Sequence, residues 1–378
     1  YDVMGVCGNG ASYDVQKEAD VEQADLLIAT TSSDEINILT CLVAKKMGVQ
    51  HTIARIRSPE YGRQLRFMRS ELGLSMAINP EAATAREIAR VLRFPTAMKL
   101  ESFSKGRLEL VEYRVAEHTA LDGTRLSELY RNFKVRVLIC AVARQGGTII
   151  PSGDFTLRAG DKIYLTAAPR ELEKFFRLLG VFRARASSVM IVGASKMCYY
   201  LASELLEMGM SVKIIDQNEQ RCVEMSEKLP RALVIVGDGT DSELLSEEGI
   251  SQTDAFVAIT GLDEANILMA LSAAKQSGDC CKVVAKINRK SLLELVSTES
   301  LIDSVVSTGA VTTELILQYI RAMKNASASK VKTLHRIVDE KVEALEFSVT
   351  PDISFAGVPL RDLNLKRGLL LDRHPLRQ

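Results

Sequence analysis

An internal repeat constrains this chain more than any other feature. Asp34-Glu35-x-Asn37 returns as Asp263-Glu264-x-Asn266, a shift of 229 residues. The same shift carries Cys7-Gly8-Asn9-Gly10 onto Val236-Gly237-Asp238-Gly239, Ala24-Asp25 onto Thr253-Asp254, and Ala29-Thr30-Thr31 onto Ala258-Ile259-Thr260. With two residues inserted before Val283, Ala54-Arg55-Ile56 meets Ala285-Lys286-Ile287. A register held across strand, loop and helix marks one structural unit used twice.

The second copy is the fuller one. Short apolar runs at 189–192, 212–215, 232–236, 255–259 and 282–285 alternate with helical stretches at 198–208, 220–229, 242–248 and 266–275. Strands of four to six residues separated by helices predict βαβ units and a parallel sheet. The first copy opens at the counterpart of the third strand, with Tyr1 to Val6 expected to form it. Its first two βα units are missing, so the sequence is expected to be a fragment, and the remnant to be unstable by itself.

Between the copies lies a different module. Strands are expected at 108–115, 135–143 and 162–166, with turn signals at Gln145-Gly146-Gly147 and Arg158-Ala159-Gly160-Asp161, then a helix at 170–179. Its counterpart starts after Val331, with a strand at 342–349 and Phe355 to Leu360 paralleling Leu121 to Leu126. The expected fold class is α/β: doubly wound, parallel, Rossmann-like N-modules alternating with small α+β C-modules. The expected domains are a partial N-module (1–95), a C-module (96–182), an N-module (186–325) and a partial C-module (330–378).

Composition narrows the function. The 378 residues carry 48 basic and 48 acidic side chains, against the basic excess of a general nucleic-acid binder. Seven Cys without a C-x-x-C pair argue against a zinc site or a disulfide framework. The four histidines, His51, His118, His335 and His374, show no metal-ligand spacing. The longest apolar run, 135–143, is far short of the ~20 residues that span a bilayer, so no direct membrane insertion is expected. No nucleophile–base pair stands out, and no catalytic residue is expected.

The candidate ligand residues sit at strand ends. Gly193-Ala194-Ser195-Lys196-Met197 joins a strand to a helix, and Asp216 closes the next strand. The pair resembles a dinucleotide fingerprint: a tight turn, a helix N-terminus for phosphate and an acid for ribose hydroxyls. A full glycine pattern would need Gly at Ser195 and Cys198, and the Ser195 side chain is expected to hinder pyrophosphate approach. Gly237 to Asp241 reads as a glycine-rich loop with Thr240 or Asp241 capping a helix. Thr260-Gly261 follows the fourth strand, and Thr31-Ser32 is its first-copy counterpart, with Asp34 expected to cap a helix. Arg55 and Arg57 end the fifth strand, where a guanidinium can reach phosphate. Lys286 and Asn288 are their counterparts.

These residues, with Asp-Glu-x-Asn266 and Ala54-Arg55-Ile56-Arg57-Ser58-Pro59-Glu60-Tyr61, resemble the RCK (regulator of potassium conductance) domains. The doubled N–C–N–C order is similar to the nucleotide-binding subunits of Trk-type potassium transporters. The resemblance implies a cytoplasmic homo-oligomeric ring, peripheral to the inner face of the plasma membrane. The ring would dock on a membrane potassium-translocating subunit and gate it through bound NAD(H) or ATP/ADP. It implies ligand contacts at Gly193 to Met197, Asp216, Thr260, Gly261 and Lys286, with Thr31, Ser32 and Arg55 remaining in the first copy. The competing expectations are an NAD-dependent oxidoreductase and a nucleotide-sensing regulator of another cation channel or antiporter.

Overall fold

A computed structural model describes residues 3–61, 72–93, 99–103, 108–180, 186–278, 281–296, 302–325, 331–337, 342–347 and 358. The chain forms two compact units. One joins Tyr1–Ala89 to Ser187–Thr313, and the other joins Arg90–Ala186 to Glu314–Gln378.

In the first unit, the first copy makes a parallel sheet of β1 (Leu26–Ala29), β2 (His51–Arg55) and β3 (Met76–Ile78), in that order. Helix Asp34–Lys46 covers it, and Ala29, Cys41, Ala54, Ile56 and Leu74 form the shared core. The third-strand expectation fails: residues 3–6 are not a strand, and Val3 and Met4 are largely exposed. A lone strand cannot satisfy its ladder groups without a partner. Among the described residues, no strand pairs with residues 3–6. Ile28 of β1 is 40% exposed.

The second unit holds an antiparallel sheet of β4 (Lys99–Phe103), β5 (Leu108–Arg114), β6 (Leu138–Arg144), β7 (Gly147–Ile149) and β8 (Lys162–Ala167), ordered β4-β5-β8-β6-β7. Helix Pro169–Leu178 presses Leu172, Phe175 and Phe176 into a core with Tyr113, Leu121, Phe133 and Leu157. Asp161, 1% exposed, receives the Arg144 guanidinium through both oxygens at 2.7 Å. Arg144 also donates to the Thr156 carbonyl and stacks 4.8 Å from the Phe155 ring centroid. The pair thereby ties the β6 end to the loop before β8.

The second copy completes the first unit. Six parallel strands run β11-β10-β9-β12-β13-β14: β9 (Ser188–Val192), β10 (Ser211–Asp216), β11 (Leu233–Val236), β12 (Ala255–Ala258), β13 (Lys282–Lys286) and β14 (Ser304–Val306). This 3-2-1-4-5-6 order is that of a doubly wound dinucleotide fold, with its switch point between β9 and β12. Helices Lys196–Glu207, Glu219–Lys228, Ser242–Glu247 and Asp263–Ser277 connect the strands. The Gly237–Asp241 loop is structural: a methyl on Gly239 would stand 2.2 Å from a Val192 methyl. Asp241, not Thr240, caps the next helix, accepting from the Glu243 amide at 2.9 Å.

In the second unit, β15 (Val331–Ile337) and β16 (Val342–Phe347) form an antiparallel hairpin. Val342 packs on Leu110, Ala141 and Tyr164 of the earlier module. Of the Phe355 to Leu360 segment, only the exposed Val358 lies within the described residues. The Arg144 side chain keeps a quarter of its surface exposed, so losing Asp161 costs on the scale of a hydrogen bond to a charged group, about 1.5–3 kcal/mol. Asp161→Ala should therefore destabilise the second unit by about that amount in urea unfolding, while Lys162→Ala, whose ion pair with Glu112 is 3.4 Å long and partly exposed, should cost far less.

Candidate functional site

The carboxyl ends of β9, β10 and β12 meet at the switch point. Gly193 leaves β9 with φ of +112°, and a methyl there would stand 3.0 Å from the Thr260 amide nitrogen and 3.1 Å from Ile259 carbonyl atoms. Only glycine lets the two strand ends approach so closely. The Ala194 amide donates to Asp216 Oδ2 at 2.6 Å, and the Asn218 amide to Oδ1 at 2.8 Å. The strand-end acid therefore braces the glycine turn as well as edging the candidate site. Ser195 has a role its sequence position did not reveal: it is the N-cap of helix Lys196–Glu207, its Oγ accepting from the Cys198 amide at 3.4 Å. Lys196 is exposed and Met197 is buried beneath the turn.

Thr260 and Lys286 belong to a polar lock. The fully buried Asn266 accepts from the Thr260 amide (2.9 Å) and hydroxyl (2.7 Å), and donates to the Lys286 carbonyl at 2.9 Å. Lys286 Nζ donates to the Thr260 carbonyl at 2.6 Å. Asp263 accepts from the Asn288 and Arg289 amides, both at 2.9 Å. The first copy repeats the pattern atom for atom. Asn37 accepts from the Thr31 amide (2.6 Å) and hydroxyl (2.8 Å) and donates to the Arg55 carbonyl at 2.9 Å. Arg55 donates to the Thr31 carbonyl at 2.6 Å, and Asp34 accepts from the Arg57 and Ser58 amides.

The lock changes how several sequence candidates read. Arg55 and Arg57 turn inward, onto the Thr31 and Ser32 carbonyls. Asp34 does not cap its helix; Ser33 does, accepting from the Ile36 amide at 3.2 Å. Gly261 is exposed, with open space where a side chain would project. Burial lowers the Lys286 ammonium pKa, against the opposing pull of Asp263 and Glu81. Hydrogen bonds from Ser33 and Tyr61 hold the exposed Glu35 carboxyl down at about 2. The asparagines were visible in the sequence as a repeated letter, but nothing there disclosed what they bridge.

The matching solved structures include the GsuK RCK domain (21% identity, TM-score 0.61), which covers 84% of this chain and 67% of that one. The GsuK channel bound to NAD matches at 22% identity and a TM-score of 0.61, covering 84% of this chain and 56% of that one. Parallel sheets with this switch-point turn, interleaved with small antiparallel modules, place the protein in the class of tandem RCK folds. The TrkA-N domain model matches residues 1–80 and 189–308, and the TrkA-C domain model matches 110–180. A Trk system potassium uptake protein TrkA homolog from Methanosarcina mazei is 32% identical over 98% of this chain and 82% of its own length. The chain belongs to the TrkA family of Trk system potassium uptake proteins.

Asn266→Ala would leave the Thr260 amide and the Lys286 carbonyl without partners. At ~1–3 kcal/mol per stranded buried group, the variant should lose about 2–4 kcal/mol in urea unfolding. The Glu35 shift gives a second test, with its sign set by a lowered pKa. The stabilising effect of the charge is present above its ordinary 4.5 and is lost as pH falls through about 2. Carboxyl NMR should find Glu35 titrating near 2, and Ser33→Ala should move it upward.

Proposed function

We propose that this protein is the nucleotide-sensing regulatory subunit of a potassium uptake system. The observation that carries the reading is the Gly193 turn braced by Asp216 at the switch point, with the amino end of helix Lys196–Glu207 opening beside Thr260. An adenine nucleotide, NAD(H) or ATP/ADP, lays its phosphates over Gly193 to Met197. Its ribose hydroxyls reach Asp216, and Thr260, Gly261 and Lys286 line the far side. A solved neighbour carries NAD on the same fold. Lys286 has to exchange the Thr260 carbonyl for phosphate, and its desolvated ammonium gains from the added negative charge. In the first copy, Thr31, Ser32 and Arg55 keep the equivalent edge without a glycine loop in this sequence.

The protein acts as a switch and not as an enzyme in this reading. A nucleotide that binds one shape better shifts the population toward it. A homo-oligomeric ring transmits the shift to a membrane potassium-translocating partner, at the cytoplasmic face. No described helix is long and apolar enough to cross a membrane, so the partner supplies the pore. Family membership favours this over an NAD-dependent oxidoreductase, and a hydride-transfer assay with NADH and common oxo acids should show no turnover.

Asp216→Ala should weaken NADH and ATP binding by about 1.5–3 kcal/mol, the scale of a hydrogen bond to a charged group. Titration calorimetry measures it directly. Unchanged affinity would remove Asp216 from the site.

A further inference from the structure

The two copies touch within the first unit through the Tyr200 hydroxyl. Tyr200 lies on helix Lys196–Glu207, one turn beyond the glycine loop. Its hydroxyl donates to the Arg57 carbonyl at 3.0 Å and accepts from the Asn79 carboxamide at 2.9 Å. Asn79 also reaches the Arg57 carbonyl at 3.3 Å, and its Oδ1 accepts from the Ala82 amide at 2.8 Å, fixing the start of helix Pro80–Arg93. Arg57 is bound in turn to the first copy's own strand-end edge: its amide to Asp34 at 2.9 Å, its guanidinium to the Ser32 carbonyl. A single phenol thus spans from the helix that starts at the glycine turn to the Thr31–Ser32–Arg55 edge of the other copy.

Glu81 follows Asn79 and Pro80 in the same short segment. One Glu81 oxygen is buried with no hydrogen-bond partner. The amino end of helix Pro80–Arg93 therefore meets the second copy through the Asn79–Tyr200 hydrogen bond.

We propose that the Tyr200–Arg57–Asn79 clasp couples the two copies, so that a nucleotide seated on the second-copy loop repositions the strand-end edge of the first. This rests on the nucleotide reading given above. Phosphate settling on the start of helix Lys196–Glu207 moves that helix as a rigid element, and the phenol moves with it. Arg57 and Asn79 then either follow or lose their shared hydroxyl. Tyr200 is a positioning residue: it touches no ligand and acts through the backbone of Arg57.

The test is hydrogen exchange on the full chain with and without saturating NADH or ATP, after calorimetry has established binding. In the wild-type protein, nucleotide should change exchange at the Arg57, Ser58, Ala82 and Ala83 amides. Tyr200→Phe keeps the ring and removes the hydroxyl. It should bind nucleotide within about twofold of wild type while the first-copy response falls about fivefold or more. Asn79→Ser, which retains a helix cap but is too short to meet Tyr200, should uncouple in the same way. If wild-type protein binds nucleotide and those amides do not respond, the proposal is overturned while the nucleotide reading stands. An undiminished response in both variants overturns it equally. Absence of nucleotide binding in calorimetry removes the reading and the proposal together.

Discussion

Everything at the functional edge depends on one buried carboxamide in each copy. Asn266 and Asn37 are fully buried, and each bridges the end of a fourth-position strand to the carbonyl ending the fifth. Parallel strands that end together leave carbonyls and amides without ladder partners, and burying them unpaired is costly. A side chain with both donor and acceptor satisfies them in one stroke. The neighbouring aspartate does the same for the two amides that follow the fifth strand. The Thr260 end fixed in this way is the one that Gly193 approaches so closely, at φ of +112°, that no side chain fits there.

Much of this was legible in the sequence, because the features that carry it are periodic or repeated. Asp216 could be placed from the apolar run before it, and β12 and β13 could be paired with β1 and β2 by the repeat alone. Short strands escaped notice: β3 and β14 have three residues each, and β7 follows its turn so directly that only the turn was visible. Residues 3–6 carry a strand-like pattern, yet pattern does not supply a neighbour. In the complete copy, β11 is held by β10 alone.

Side-chain direction was the least legible part of the site. Arg55, Arg57 and Lys286 read as cations able to face a ligand, because the sequence does not say which carbonyls they reach. Ser195 read as an obstruction, and the helix cap it also makes was not visible. Tyr200 gave no signal at all, since its partners lie 143 and 121 residues away in the chain and only the docking of the two copies brings them together. Contacts of that kind can tie a binding loop to a distant edge without any residue at either end being unusual in composition.

The central claim is that the braced glycine turn at the β9–β12 switch point, the one such turn among the described residues, holds a nucleotide. Binding stoichiometry tests it most directly. Titration calorimetry of the purified chain with NADH and with ATP should give one nucleotide per chain, and a Gly193→Val variant, strained at φ of +112° and pressed on Thr260, should give none while helix content is retained. Binding of one nucleotide per chain that survives Gly193→Val would contradict the account, and so would no binding by the wild-type chain.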